Sequence, residues 1–363
     1  MPIAKVHRIS ACAPDDIGGI EAAIRAGRID PAGIVAVLGK TEGNGLVNDF
    51  SRGLATTHLS LLLRRHLPPE AADRVCLVMS GGTEGGMAPH WVVFERAEGN
   101  SGGAPALAIG RAHTPPTPFE QIGRIGQLEQ VAAGVRGAMD DAGIVSPADV
   151  HFVQIKCPLL TAQRIAEADK RRTEVATRDT LKSMGLSRAA SALGVAVALG
   201  EVERSRVTDA DIGTNWTLWS GRASASAGIE LLNNEIIVLG MSGAWSGPLA
   251  IDCAVMADGI DVEPLRAALG RLGLAAPGQL TAAQRQRLVA VLAKAEASHD
   301  GRLRGMRHTM LDDSDISSTR HARAFVCGAL AGLVGHAEIY VSGGAEHQGP
   351  DGGGPVAVIV DRS

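Results

Sequence analysis

At 363 residues the chain exceeds what one hydrophobic core usually supports, so two or three domains or subdomains are expected. A formal net charge of -4, one Tyr and 3% aromatic residues leave no electrostatic or stacking case for nucleic acid or an anionic membrane. Cys12, Cys76, Cys157, Cys253 and Cys327 stand singly with no C-x-x-C, which fits a reducing compartment. The start, MPIAKVHRIS, lacks a charged-then-apolar leader and no 18 apolar residues run together, so a soluble, cytoplasmic protein is expected.

In chain order the sequence opens on a strand, AKVHRISA, and a helix, DDIGGIEAAIRAGRI, whose start is marked by Asp15 and Asp16 and whose inner face holds Ile17, Ile20, Ala23 and Ile24. The apolar run IVAVLGK then ends on Lys40, and NDFSRGLATTHLSLLL brings Arg52 and turns helical. VCLVMSGGTEG carries Ser80 followed by Gly81 and Gly82, and HWVVFER is a further strand.

The same order then recurs. ALAIGRA leads into TPFEQIGRIGQLEQVAAGVRGAMDDAGI, a helix with Pro118 and Glu120 in its first turn and Gly143 at its stop. DVHFVQIK ends on Lys156, MGLSRAASALGVAVAL carries Arg188, GRASASAGIEL carries Ser226 with Ala227 and Gly228, and NEIIVLGM closes the set. A third time, LAIDCAVMA and VEPLRAALGRLGL precede RLVAVLAK ending on Lys294, HARAFVCGALAGLV with Arg323, AEIYVSGGAEHQG with Ser342, Gly343 and Gly344, and PVAVIVD. Ser80 and Ser342 share MSGG or VSGG with a Glu two residues on.

One Lys, Arg, Ser series means little, since any α/β chain has apolar strands that end in small or charged residues. Three in register point to internal repeats of roughly 110–130 residues, within the usual domain size. Strands alternating with helices argue for α/β layering with sheets inward and helices outward. The boundaries fall in the clusters EGNSGGAPA and SGAWSGP, which gives units 1–104, 105–247 and 248–363.

If the units pack as a ring, three Lys-Ser pairs surround one pocket. A serine hydroxyl is a poor nucleophile until a base takes its proton, and a lysine made neutral by burial or neighbouring cations can do so. Three Arg supply such cations, and together with the N–H groups beside each Ser they stabilise an oxyanion or hold carbonyl oxygens. Taken singly, each Lys reads as a solvated strand end and each Arg as a helix-face residue; the repetition is what singles them out. GKT at residues 39–41 is not a phosphate-binding loop, because Gly33 lies at the wrong spacing and the Lys ends a strand. The 11 His show neither H-x-H nor H-E-x-x-H spacing, which disfavours zinc.

The motifs KTEGNG, MSGGTEG, QIKCPLLT, ASASAGIEL, GMRHTML and VSGGAEHQGPDGGGP make the chain resemble, over essentially its full length, the cyanuric acid hydrolase and barbiturase family of ring-opening cyclic amidohydrolases. The resemblance implies an α/β fold of three similar repeats with pseudo-threefold symmetry, the sheets forming a central barrel with helices outside, assembled as a homotetramer. It implies Lys156 as base and Ser226 as nucleophile, with Lys40, Arg52, Ser80, Gly81, Arg188, Ala227, Lys294, Arg323, Ser342 and Gly343 binding a small cyclic imide. It also implies a structural divalent cation, Mg²⁺ or Ca²⁺, held by Glu296 with oxygens from Ala345, Gln348, Pro350 and Gly353, and no organic cofactor. The symmetry of the donors leans toward cyanuric acid, with its three equivalent carbonyls. A barbiturase, or a non-catalytic binder of a cyclic imide, stays open at this point.

Overall fold

The computed structural model describes residues 1–99 and 103–363. The expected boundary segment EGNSGGAPA therefore lies in part outside the described residues. The fold is mixed α/β, and its strands stand in three four-stranded sheets plus one short hairpin.

The first sheet holds Pro2–Ser10 (β1), Ile34–Thr41 (β2), Cys76–Gly81 (β3) and His90–Glu98 (β4) in the order β1-β4-β2-β3. The second holds Ala106–His113 (β5), Val150–Pro158 (β6), Ala223–Gly228 (β7) and Glu235–Ser242 (β8) in the order β5-β8-β6-β7. Leu249–Met256 (β9) and Leu288–Ala295 (β10) belong to the third, the hairpin Arg302–Leu303 (β11) and Met306–Arg307 (β12) interrupts, and Tyr340–Gly343 (β13) and Gly354–Asp361 (β14) complete it as β9-β14-β10-β13. In all three the first strand pairs with the fourth, the fourth with the second, and the second, in parallel, with the third. The strands do not form one closed hydrogen-bonded ladder among the described residues.

β2 and β3 are buried at every position, which is why they read as apolar runs and not as alternating ones; β7, ASASAG, is also buried throughout, its small Ala and Ser side chains fitting a site closed on both faces. Inner faces from all three sheets meet in one core, with Leu38, Val78 and Phe94 from the first, Phe152, Ile155 and Leu239 from the second, and Leu292, Tyr340 and Ile359 from the third. Outer faces are covered by helices: Val37, Met79 and Trp91 pack with Leu59, Leu62 and Leu63 of the helix Phe50–His66, and Val291, Val341 and Val358 with Val326 and Leu330 of Ser318–Val334.

Caps fix where two of the three Arg-bearing helices begin. Asp49 accepts the Ser51 N–H at 2.9 Å ahead of Phe50–His66, and Asp179 accepts the N–H groups of Leu181 and Lys182 ahead of Thr180–Ala198. Two expected starts shift. The first helix begins at Gly18, and Asp16 instead accepts the N–H of Cys12 and Gly18 in the preceding turn. Pro118 and Glu120 sit at a short 3-10 turn, Phe119–Gln121, because Gly123 at φ 78° breaks the chain before the helix Ile125–Ala142; its stop at Gly143, φ 61°, falls where expected.

Candidate active site

The parallel pairing of the second and third strand of each sheet puts Lys opposite Ser. Lys40 is the register partner of Ser80, Lys156 of Ser226 and Lys294 of Ser342. All six stand at or next to the carboxyl ends of paired parallel strands, the edge at which open α/β sheets bind ligands. The three lysines are buried to within 1% of full exclusion, which an ion of this kind tolerates only with dense polar partners.

Those partners come in a cycle. Lys40 Nζ donates to Val341 O at 2.8 Å, Lys156 Nζ to Met79 O at 2.6 Å and Lys294 Nζ to Ala225 O at 2.9 Å. Each acceptor is the residue just before the Ser of another sheet, so every Lys reaches from its own sheet into the next. The Lys therefore tie the three sheets together while holding three Ser hydroxyls near each other.

A small cavity lies among these ends, lined by Arg52, Ser80, Gly81, Arg188, Ser226, Ala227, Arg323, Ser342 and Gly343, with Gly45 and Met184. Nine of the expected binding and catalytic residues thus meet in one place. The three Lys sit behind the Ser and do not line it. All three Ser are buried, Ser226 at 7% exposure the least so, against 3% for Ser80 and 1% for Ser342.

Three glutamates that the sequence reading left without a role complete the cycle. Glu84 takes Arg323 bidentately, at 2.5 and 2.8 Å, and Glu346 takes Arg188 likewise, at 2.6 and 2.8 Å. Glu230 lies 3.9 Å from Arg52 Nε and only 2.7 Å from Lys156 Nζ. Each Glu stands four residues after its Ser, so S-[GA]-G-x-E is the signal that finds them. The Gly within it has a steric cause: at Gly82 and Gly344, both at positive φ, a Cβ would lie 2.3–2.4 Å from the guanidinium of Arg323 or Arg188.

The electrostatics separate the pairs. Burial, then Arg323, drives Lys40 well below the usual ammonium range, and burial with Arg188 brings Lys294 down to about 7. Burial also lowers Lys156, but Glu230 opposes the shift. Lys40 and Lys294 donate to their own Ser hydroxyls at 3.2 Å; among the described residues Lys156 makes its short contacts with Met79 O and Glu230, not with Ser226 Oγ.

The expected cation ligands lie apart from this cavity's lining, at the end of β10 and in the loop 345–353. Burial and the neighbouring Glu346 push the Glu296 carboxyl up, the environment a cation would relieve. The Gln348 side-chain oxygen already accepts the Ala225 N–H at 2.7 Å, so its backbone oxygen is the one free to ligate. His347, Gly349 and Gly352 sit at positive φ in this loop, the carbonyls of Ala345 and Pro350 each accept a backbone N–H within it, and the all-oxygen donor set fits a hard cation.

The family model of the amidohydrolase ring-opening proteins matches residues 5–361. A cyanuric acid amidohydrolase of Azorhizobium caulinodans is 67% identical over 100% of this chain and 99% of its own length, and one of Pseudomonas sp. strain ADP is 51% identical over 98% of each. The crystal structure of the A. caulinodans cyanuric acid hydrolase superposes with a TM-score of 0.94 over the whole of both chains. A second solved cyanuric acid hydrolase, 50% identical, also gives 0.94 over 99% of this chain and 100% of its own. The chain belongs to the ring-opening amidohydrolase family.

Proposed function

We propose that this protein hydrolyses cyanuric acid, opening the s-triazine ring to carboxybiuret, which loses carbon dioxide to give biuret. The observation that carries the reading is the set of three Lys-Ser register pairs around one shared cavity, in a chain 67% identical to a cyanuric acid amidohydrolase. The three units, 1–104, 105–247 and 248–363, are read as repeats about a pseudo-threefold axis, with the sheets as staves of a central barrel. The common strand order supports this.

Ser226 Oγ attacks a ring carbonyl carbon while neutral Lys156 takes the hydroxyl proton. The carbonyl oxygen becomes an oxyanion held by the N–H of Ala227 and by the cationic side chains around the cavity. Collapse breaks the C–N bond, and Lys156 returns its proton to the departing ring nitrogen. Water, deprotonated by Lys156, then attacks the acyl-enzyme and restores the Ser226 hydroxyl. Ser80 with Gly81, and Ser342 with Gly343, hold the other two carbonyls, aided by Lys40 and Lys294; Arg52, Arg188 and Arg323 polarise the ring.

Glu296, with backbone oxygens of Ala345, Gln348, Pro350 and Gly353, would hold Mg²⁺ or Ca²⁺. Such a cation supplies charge neutralisation and fixes the loop that carries Glu346, and through it Arg188. A cytoplasmic homotetramer completes the proposal; the five free cysteines and the lack of any membrane-spanning helix among the described residues agree with a reducing, aqueous setting.

The test is substrate loss with purified protein, cyanuric and barbituric acid in parallel and biuret followed as product. Cyanuric acid is consumed with biuret appearing. Turnover of barbituric acid alone would move the substrate to a pyrimidine ring, and turnover of neither would make the protein a binder.

A further inference from the structure

The three S-[GA]-G-x-E glutamates are equivalent in sequence but not in what they hold. Glu84 and Glu346 are each saturated by a two-pronged guanidinium. Arg52, the counterpart in the remaining position, sends Nη2 to Leu46 O at 2.6 Å and leaves its buried Nε without a hydrogen bond. Glu230 is thereby freed for Lys156 at 2.7 Å, and neither of its oxygens accepts a hydrogen bond from any other described group.

We propose that Glu230 is a positioning residue for the hydrolytic step, fixing Lys156 Nζ, whose residue is the register partner of Ser226, and stabilising the ammonium that forms when the serine proton is taken. The inference rests on the Ser226-Lys156 reading of the site. Its logic is that of an acid behind a catalytic histidine, where the buried carboxylate orients the base and favours its charged form without taking the proton itself. It gives a physical reason why one of three near-identical Lys-Ser pairs does the chemistry. At Lys40 and Lys294 the matching carboxylate is spent on an arginine, so an ammonium formed there has no direct anionic partner.

The charged and titratable groups around this pair are Arg52 from Phe50–His66, Cys157 from β6, Glu235 from β8 and Arg164 from Ala162–Lys170. Arg52 disfavours the Lys156 ammonium, and Glu230 is the leading group that favours it. Removing the Glu230 charge therefore lowers the Lys156 pKa, and the acid limb of the kcat profile moves to lower pH.

The experiment compares pH profiles of kcat for the full-length wild type, Glu230→Gln and Glu230→Asp, with thermal unfolding of each as a check on folding. Glu230→Gln is expected to lose about 100-fold or more in plateau kcat, within the usual range for general-base catalysis, with its acid limb displaced to lower pH. Glu230→Asp, which keeps the charge, recovers part of the rate and the wild-type limb. A folded Glu230→Gln with an undisplaced limb overturns the inference, as does wild-type kcat. If Glu230→Gln does not fold, Glu230→Asp decides: a limb displaced like that of a charge-free site overturns the inference. Ser226→Ala, assayed alongside, separates the two claims: if it retains turnover the site reading fails, and if it is inactive while the Glu230→Gln limb stays put, only the role of Glu230 fails.

Discussion

Two regions of this molecule are built to one plan and differ in where the lysine and the glutamate turn. Around Ser80 and Ser342 a Lys donates to the Ser hydroxyl at 3.2 Å and the nearby Glu is locked bidentately on an Arg. Around Ser226 the Lys is held by the Glu at 2.7 Å, and the Ser is the most exposed of the three. The first arrangement supplies fixed donors, which suits holding a carbonyl. The second leaves a cavity-lining Ser hydroxyl not engaged by its lysine, with that lysine set on an anion, which suits attack. A repeated scaffold can thus divide labour by rerouting one carboxylate while keeping the same Lys, Arg, Ser and Glu in each unit.

The sharpest way to break this comparison is to remove the base of each pair. Lys156→Met is expected to lower kcat by about 10²–10⁴-fold. Lys40→Met and Lys294→Met should act mainly through KM, and an equal loss of kcat in all three would erase the distinction. Next in size are Glu84→Gln and Glu346→Gln, each of which releases an arginine from a charge-assisted pair. KM is expected to rise about tenfold or more with a smaller change in kcat, as read from saturation curves.

Chelation should act on stability before chemistry. Treatment with EDTA is expected to lower Tm, measured by calorimetry, while the folded fraction keeps its kcat; loss of turnover in still-folded protein would place the cation in the reaction. The smallest effect concerns pH. Burial raises the Glu235 carboxyl from 4.5 to about 7, so the folded state binds this proton more tightly than the unfolded chain. Its contribution is full below about 4.5 and is lost as pH rises through about 7. Between those values Glu235→Gln should flatten the fall in Tm with rising pH relative to wild type.

Much of this was legible in the sequence because strand ends and helix starts carry local signals. Lys40, Lys156 and Lys294 close apolar runs, the Ser open Gly- or Ala-containing turns, and the Arg ride near the starts of helical stretches, so the nine cavity residues named from sequence do converge. The glutamates stood in the same motifs, but their function lies in pairings such as Glu84 with Arg323, 239 residues apart, and no local pattern encodes those. The equal spacing of the three Glu even hides the difference that matters. The helix start at Gly18 rather than Asp15 was missed for a similar reason: Asp16 was engaged by Cys12 in a turn, a competitor for the cap that composition does not reveal.

The most direct measurement on the division of labour is kcat with cyanuric acid for Ser80→Ala, Ser226→Ala and Ser342→Ala side by side, each checked for folding. Ser226→Ala is expected to leave no turnover above background, while the other two retain measurable kcat with raised KM. Turnover surviving in Ser226→Ala, with its loss in Ser80→Ala or Ser342→Ala, would place the nucleophile in another pair and contradict the assignment.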